Sequence, residues 1–258
     1  IKHPDVRRML MTMRAQIEAQ RALSYYTATA LDRASTHPNP EEKARNQALV
    51  NFLIPIVKGW NTEQANEITS LGVQVHGGMG FIEETGAAQY YRDARITAIY
   101  EGTTGIQALD LIGRKLASEK GVTAAAVLAE VKATVAKLAA AGSDFASLKA
   151  NLEAGIAQAE ACVNFVLETF GTQPRLPAAG SVPFLKLMGI LLGGWQLARG
   201  ALIAQAKLGE DGADTDFYTA KIVTARFYGE HLLPQISGLA VAILGGAASV
   251  LALDEAQF

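Results

Sequence analysis

Apolar residues recur along most of the chain at the spacing of three and four residues that marks one face of an α-helix. Near the N-terminus, this spacing is followed by Val6, Met9, Met13, Ile17 and Leu31, with arginine and glutamate residues between them. Similar spacing returns in most later segments, and no region is rich in strand-like sequence. We therefore predict an all-α fold, in which each helix buries one apolar face against its neighbours.

Proline, glycine and asparagine residues divide this pattern into helices and turns. A first helix is predicted from Pro4 to about Ala34, and the sequence STHPNPEE ends it. Pro55 is expected to restart or kink the second helix, because proline has no N–H group to donate within a helix. Up to residue 120, the further elements that we expect are a helix ending at Val75, a short helix near residues 85–94, an extended link at 95–100 and a helix at 105–117. Beyond it, we expect a helix after residue 120, a helix from Ser143 to Gly171, a loop at 171–183 and three apolar helices.

A change in composition near residue 120 indicates two helical regions. The sequence becomes rich in alanine there, and we expect one helical bundle at residues 1–120 and a second at residues 121–258. Half of the 258 residues are hydrophobic, which is enough for one large domain or for two of ordinary size.

Two long apolar runs raise the question of a membrane helix. The run at residues 232–253 carries no charge and is long enough to cross a bilayer. It also contains Pro234, Gln235 and several small residues, which favour a helix buried on most of its surface in the core of a bundle. The run at residues 184–206 is interrupted by charged and amide side chains. We therefore expect no membrane span.

Charge and cysteine content narrow the class of protein. The formal net charge is -2, and no basic stripe marks a nucleic-acid site. Cys162 is the only cysteine, so an intramolecular disulfide and a cysteine-based zinc site are excluded. The lone cysteine and a charged N-terminus without an apolar leader fit a cytoplasmic protein. Because the sequence begins at Ile1, we expect a processed chain or a piece of a longer protein.

Two short stretches combine a glycine-rich turn with polar side chains. YEGTTGIQ, residues 100–107, places Glu101 just before a helix start. Its local chemistry fits an N-cap by Thr103 or Thr104, with a carboxylate near the positive end of the helix dipole. HGGMGF, residues 76–81, places glycines where the backbone needs either a positive φ or a close approach. A glycine C-cap would explain this second stretch without any function.

Residues 74–107 resemble the C-terminal helical domain of acyl-CoA dehydrogenases. That family pairs a Gln-x-x-Gly-Gly-x-Gly-Phe turn with an Arg-Asp element and then Ile-Tyr-Glu-Gly-Thr, and all three occur here in order. The resemblance covers about residues 4–116. The remaining helices resemble the extra C-terminal region of larger members, including those that act on 3-methylthiopropionyl-CoA.

The resemblance implies that Glu101 is a catalytic base. In the family, the glutamate at this position removes the pro-R α-proton of an acyl-CoA thioester while a hydride leaves the β-carbon for FAD, giving a trans-2-enoyl-CoA. The adjacent Tyr100 and Gly102 would then border the substrate. Because such a base works best where water is excluded, we expect Glu101 to be partly buried.

The resemblance also implies two sets of FAD contacts and no metal site. The first set would meet the FAD of a neighbouring subunit and consists of Gln74, Val75, His76, Gly77 and Gly78. The second set follows the base and consists of Thr103, Thr104 and Gly105. Bare backbone at a helix end can approach a pyrophosphate closely. Arg92 and Asp93 match the family's Arg-Asp element, for which we expect a local ion pair.

The family builds its active site from three domains, and only the third has a counterpart in this sequence. We therefore expect a C-terminal fragment of an FAD-dependent acyl-CoA dehydrogenase that is inactive alone. The full-length protein would bind acyl-CoA, form at least a homodimer and pass electrons to an electron-transfer flavoprotein. Three alternatives stay open: an acyl-CoA oxidase fragment, one half of a split enzyme, and a non-catalytic helical dimerisation module.

Overall fold

Every regular element of the protein is helical, as the apolar spacing predicts. The computed structural model describes residues 1–258. The first half contains α1 (Pro4–Thr36), α2 (Pro40–Val75), α3 (Gly78–Phe81), α4 (Ala87–Thr97) and α5 (Thr104–Asp110), which continues as a π-helical segment to Ala117. The second half contains α6 (Val122–Ala140), α7 (Ala146–Thr169), α8 (Arg175–Ala179), α9 (Ser181–Leu208), α10 (Thr215–His231), α11 (Gln235–Gly245) and α12 (Ala247–Val250).

The two longest helices, α1 and α2, form an antiparallel pair. Asn39 caps α2, since its side chain accepts a hydrogen bond from the amide of Glu41 at 2.8 Å. Pro40 follows at the first helical position, where its missing N–H group leaves no bond unmade. Further along the pair, the buried side chain of Gln16 donates a hydrogen bond to that of Gln64. Helix α2 of this pair is the base on which α4 and α5 pack.

The buried face of α1 differs from the face that the apolar spacing predicts. Its core side is formed by small and medium residues such as Ala15, Ala19 and Leu23, whereas Ile17 is 40% exposed and Leu31 is 51% exposed. Small side chains let α2 approach closely, so they occupy the interface although they are less apolar. The predicted length of α1 is confirmed, but the predicted face is wrong in part.

Pro55 does not restart α2, so the first of its two expected effects, a restart or a kink, is wrong. The helix Pro40–Val75 runs without interruption, and Pro55 is buried inside it. A proline in a helix interior costs about 3 kcal/mol. The neighbouring side chains of Phe52, Leu53 and Ile56 are fully buried in the core, and the packing of this segment offsets the cost.

Two predicted links are largely helical in the structure. The expected extended link begins with residues 95–97, which form the last turn of α4, and residues 98–103 make a compact turn. The expected loop at residues 171–183 contains α8 and the first turn of α9. Pro177 and Pro183 lie in the first turns of these two helices, where proline is tolerated. They therefore mark helix starts rather than a loop.

The central helix of the protein is α9. It is buried around most of its circumference, with Phe184 and Trp195 fully buried. Gly189 and Gly193 lie against the indole of Trp60 in α2, and a Cβ at Gly189 would come within 2.2 Å of Trp60 Cγ. By length and composition α9 could cross a membrane, yet 78% of its most apolar window is buried. The packing is that of a core helix.

The apolar run at residues 232–253 does not form the buried helix that the sequence predicts. It begins with a turn and continues as α11 and the short α12. Within α11 only Ile236, Ala240 and Ile243 are buried, and Val241 is 73% exposed. One side of α11 therefore leaves an apolar surface uncovered.

One hydrophobic core joins both halves of the chain. A cluster of 43 buried residues includes side chains from α1, α2 and α5 as well as from α6, α7, α9 and α10. The central helix α9 packs against α1 and α2 on one side and against α7 and α10 on the other. The division into residues 1–120 and residues 121–258 stays a prediction about sequence regions, while their packing is continuous.

Candidate active site

The turn between α4 and α5 carries the YEGT stretch. The hydroxyl of Thr103 accepts a hydrogen bond from the amide of Ile106 at 3.3 Å, so Thr103 makes the N-cap of α5. Just before it, Glu101 and Gly102 have φ angles of 53° and 88°. Left-handed backbone suits glycine, but at a non-glycine residue it costs on the order of 1–3 kcal/mol. The turn therefore holds Glu101 in a strained conformation.

Hydrogen bonds within the turn and to α2 hold this conformation. The amide of Thr104 donates to the carbonyl of Ala98 at 3.2 Å, across the turn. The hydroxyl of Thr104 donates to the carboxylate of Glu63 in α2 at 2.5 Å. A weaker contact joins Gln107 Nε2 to the carbonyl of Glu101 at 3.5 Å. These three contacts fix the backbone on either side of Glu101.

Lys58, near the middle of α2, is a site residue that the sequence analysis does not identify. Its Nζ donates hydrogen bonds to the carbonyls of Thr97 at 3.0 Å and of Gly102 at 2.7 Å. The same Nζ lies 6.0 Å from the centroid of the Tyr100 ring. The signal in the sequence is a lone lysine in the apolar stretch NFLIPIVKGW, because a charge among core residues needs a partner.

The Glu101 side chain is exposed, so the expected partial burial is wrong for this chain. The apolar side chains of Ile99, Tyr100 and Ile106, next to it in the turn and in α5, are each about half exposed. Water reaches the carboxylate freely because no part of this chain covers the turn. The structure therefore presents a carboxylate on an open and partly apolar surface.

The glycine-rich stretch ends α2, as the C-cap interpretation predicts. Gly77 has a φ of 61°, and its amide donates to the carbonyl of Gln74 at 3.0 Å. Gly80 lies so close to α2 that a Cβ there would be 2.2 Å from the carbonyl oxygen of Val73. At Gly77 and Gly78, by contrast, a Cβ would meet no atom within 4 Å. These two glycines leave bare backbone open to a ligand.

The side chains before the glycines have separate roles. His76 Nδ1 lies 2.8 Å from the carbonyl oxygen of Gly72, and it carries the hydrogen because a carbonyl only accepts. Gln74 and His76 are exposed, and Val75 is half-buried. No group of three or more His, Cys, Asp or Glu side chains is placed to hold a metal ion.

The two predicted sets of cofactor contacts lie apart. Thr104 contacts α2 at Glu63, whereas residues 74–78 lie at the C-terminal end of the same helix. About a dozen helical residues separate Glu63 from Val75, which corresponds to about 18 Å at 1.5 Å per residue. That residues 74–78 reach the cofactor of a neighbouring subunit stays a prediction.

The three residues of the second set differ in what they offer a ligand. Thr104 is buried, and its amide and hydroxyl both bond within the chain. The amides of Thr103 and Gly105 have no hydrogen-bond partner. Thr103 and Gly105 can therefore donate to a ligand through their backbone, while Thr104 stabilises the turn.

The Arg-Asp element makes only local contacts. Arg92 pairs with the carboxylate of Glu83 at 3.4 Å, and Asp93 accepts hydrogen bonds from the side chain of Gln89. Arg92 and Asp93 do not pair with each other, because consecutive residues on a helix point in different directions. The element fixes α4 to the turn before it.

Two buried groups with shifted pKa values belong to the core rather than to a site. Burial raises the pKa of the Cys162 thiol to about 11, so it is a poor nucleophile. Burial also raises the pKa of Tyr228, whose hydroxyl donates to the carbonyl of Ile190 at 3.0 Å. Neither group competes with Glu101 as a reactive centre.

The helical fold and the two motifs point to one class of protein. Residues 1–117 match the family profile described as acyl-CoA dehydrogenase, C-terminal domain. Residues 127–254 match the profile described as acetyl-CoA dehydrogenase C-terminal like. The chain belongs to the acyl-CoA dehydrogenase family and corresponds to the C-terminal region of its members.

Individual relatives agree with this assignment. Over 237 residues the chain is 48% identical to 3-methylmercaptopropionyl-CoA dehydrogenase of Ruegeria pomeroyi, an alignment that covers 92% of this chain and 40% of the relative. It is 36% identical to broad-specificity linear acyl-CoA dehydrogenase FadE5 of Mycobacterium tuberculosis, over 99% of this chain and 43% of the relative. A crystal structure of an acyl-CoA dehydrogenase complexed with FAD from Bacillus anthracis shares the fold, with a TM-score of 0.69 and 19% identity over 99% of this chain and 45% of that one. The chain spans about two fifths of the length of these curated relatives.

Proposed function

We propose that this chain supplies the catalytic base of an FAD-dependent acyl-CoA dehydrogenase. The full-length protein converts an acyl-CoA thioester to the trans-2-enoyl-CoA, and Glu101 removes the α-proton. The observation that carries the proposal is the turn itself, in which a glutamate is held at a φ of 53° beside Gly102. Strained backbone of this kind concentrates at functional sites, and relatives of this chain are acyl-CoA dehydrogenases.

The turn gives Glu101 the fixed position that a proton-abstracting base requires. An α-proton beside a thioester is only weakly acidic, so the base must be held at contact distance in a site that excludes water. Glu101 projects from a turn that side chains of α2 anchor. Gly102, next to it, has no side chain that would block the substrate, and Tyr100 borders the same space. FAD, when bound, accepts the hydride from the β-carbon.

The exposed backbone of two segments fits FAD. Gly77 and Gly78 leave the end of α2 bare, and the amides of Thr103 and Gly105 are free to donate. Free amides and bare helix ends suit the phosphate and hydroxyl groups of a dinucleotide. Residues 74–76 flank the first segment. The relative from Bacillus anthracis is described as complexed with FAD, and the same cofactor is proposed here.

The rest of a longer polypeptide completes the site. Relatives are more than twice the length of this chain, and the apolar residues beside Glu101 are open to water. Covering that surface would exclude water and bury the carboxylate, which the reaction requires. The isolated chain is accordingly inactive.

The proposed substrate and partners follow from the similarity of this chain to acyl-CoA dehydrogenases. The substrate class is acyl-CoA, and the relatives are named for 3-methylmercaptopropionyl-CoA and for linear acyl-CoA. An electron-transfer flavoprotein is the proposed electron acceptor. A homodimer is the proposed assembly, because the resemblance implies that residues 74–78 reach the FAD of a neighbouring subunit.

Replacing the base tests the proposal directly. In the FAD-loaded full-length protein, Glu101→Gln keeps the size of the side chain but removes its basicity. Flavin reduction by 3-methylmercaptopropionyl-CoA or butyryl-CoA should slow by roughly 10²–10⁴ in stopped-flow absorbance, with unchanged FAD content. Glu84→Gln, at an exposed glutamate between α3 and α4, is the matched control and should reduce flavin at the normal rate. Normal reduction in Glu101→Gln would overturn the assignment.

A further inference from the structure

A single lysine of α2 bridges the two sides of the turn that carries Glu101. Lys58 Nζ donates to the carbonyl of Thr97 at 3.0 Å and to that of Gly102 at 2.7 Å. These carbonyls stand on opposite sides of the turn, one before it and one directly after Glu101. The two residues are 39 and 44 positions away from Lys58 in the sequence, so the contact exists only in the folded chain.

Both carbonyls need a donor from outside the turn. Thr97 is the last residue of α4, where carbonyl groups lack partners within the helix and the helix dipole favours a cation. Gly102 has a φ of 88°, a conformation that takes its carbonyl out of any helical ladder. An ammonium has three donors and no acceptor, so one lysine can satisfy both groups at once. The Lys58 side chain is half-buried, which limits the competition from water for its two hydrogen bonds.

A second side chain of α2 holds the far end of the same turn. Glu63 accepts a hydrogen bond from the hydroxyl of Thr104 at 2.5 Å. Helix α2 thus fixes the turn at two points. The Lys58 ammonium bonds the carbonyls of Thr97 and Gly102, and the Glu63 carboxylate bonds the hydroxyl of Thr104. The strained backbone of Glu101 persists only because surrounding contacts determine it, and Lys58 makes two of these contacts.

We propose that Lys58 is a positioning residue for Glu101, one that holds the turn in the left-handed conformation from which the carboxylate reaches the α-proton. This inference rests on the proposed function of Glu101 as the base. Lys58 does not touch the substrate, and it acts through the carbonyls of Thr97 and Gly102. Its loss should displace the carboxylate without changing the rest of the protein.

Hydrogen–deuterium exchange tests the structural part without turnover. In the FAD-loaded full-length protein, Lys58→Met removes both hydrogen bonds while keeping a long, unbranched side chain. The amides of Tyr100 and Thr104, which bond across the turn to Ile96 and Ala98, should exchange roughly tenfold faster. Exchange in α9 should stay the same. Lys43→Met is the matched control, since Lys43 lies on α2 and its side chain makes no hydrogen bond or ion pair.

Flavin reduction tests the positioning part. With 3-methylmercaptopropionyl-CoA and butyryl-CoA as probes, Lys58→Met should lower the limiting rate about 100-fold, as a misplaced catalytic group does. FAD content and the half-saturating substrate concentration should change far less than the rate, because residues 74–78 and the rest of the longer polypeptide lie outside the turn that Lys58 holds. Lys58→Arg keeps the charge and the donors and should recover most of the rate. Lys58→Gln, which keeps a shorter donor, replaces the Met variant if the latter does not fold.

The outcomes separate this inference from the proposed function. Normal reduction in Glu101→Gln would reject the base, and the exchange data would still decide whether Lys58 holds the turn. A Lys58→Met protein with unchanged exchange at Tyr100 and Thr104 and a normal rate would reject positioning by Lys58. A variant that loses FAD and exchanges faster throughout would show a general structural role, which also contradicts the proposal.

Discussion

At the residue scale, Gly102 is the position where backbone conformation should have the clearest effect on stability. Its φ of 88° is strained for any residue with a Cβ. A Cβ there would also lie 2.9 Å from Gln107 Nε2, although that flexible side chain can move aside. The strain of the left-handed backbone therefore accounts for most of the free-energy cost of placing a side chain at position 102.

We predict that Gly102→Ala lowers the free energy of unfolding of this chain by about 1 kcal/mol or more. Gly72→Ala is the control, because Gly72 is helical and a Cβ there meets nothing within 4 Å. That variant should be as stable as the parent or up to about 1 kcal/mol more stable. Urea denaturation followed by circular dichroism measures both. Equal losses in the two variants would contradict the role given to the left-handed turn.

The same residues show what one sequence can and cannot reveal. Clustered glycines correctly predict that α2 ends at residues 76–77, because glycine has few other reasons to cluster at a helix end. The positive φ of Glu101 could not be predicted from the sequence, since glutamate has no preference for the left-handed conformation. The link from Lys58 to Gly102 spans 44 positions, and local patterns do not report such distant contacts.

At the element scale, glycines of α9 decide which helix lies at the centre. Gly189 and Gly193 admit the indole of Trp60, and Gly194 lies against Leu233 and Tyr228. Close packing of this kind buries α9 almost completely. A hydropathy profile does not detect this close packing, since it records how apolar a segment is and not how closely other helices approach it. The sequence therefore predicts the helices well but assigns the buried position to the wrong C-terminal run.

A pair of glycine substitutions on α9 tests this packing. A Cβ at Gly189 would come within 2.2 Å of Trp60 Cγ, whereas one at Gly200 meets nothing within 4 Å. Gly189→Ala should cost about 1–3 kcal/mol of unfolding free energy through overpacking. Gly200→Ala should be neutral or stabilising by up to about 1 kcal/mol, because alanine favours helix. Similar stability of the two variants in chemical denaturation would show that α9 does not pack as described.

At the scale of the whole molecule, exposed apolar side chains lie on several parts of the surface, among them a groove between α1, α9 and α10 and two further surfaces. The first of these two lies on α3, α4 and α5 and includes Phe81, Tyr90 and Ile106. The second, which we call the α11 surface, is formed by Val241, Leu244 and Val250. Soluble monomers rarely leave large contiguous apolar patches open to water. We assign the part of the first surface around Glu101 to the rest of the proposed longer polypeptide, and we expect the α11 surface to contact another copy of the chain.

We predict that the isolated chain self-associates, most simply as a two-fold dimer, because closed two-fold interfaces are the commonest. Light scattering at micromolar concentration should give about twice the monomer mass of 27.3 kDa. Val241→Glu should shift the protein toward monomer, since a charge on the α11 surface would lose its hydration in an interface. Phe81→Glu changes a similarly exposed apolar residue of the first surface. Association through the first surface would be weakened by this variant and not by Val241→Glu. A parent chain that stays monomeric would contradict both the association and the role given to the uncovered side of α11.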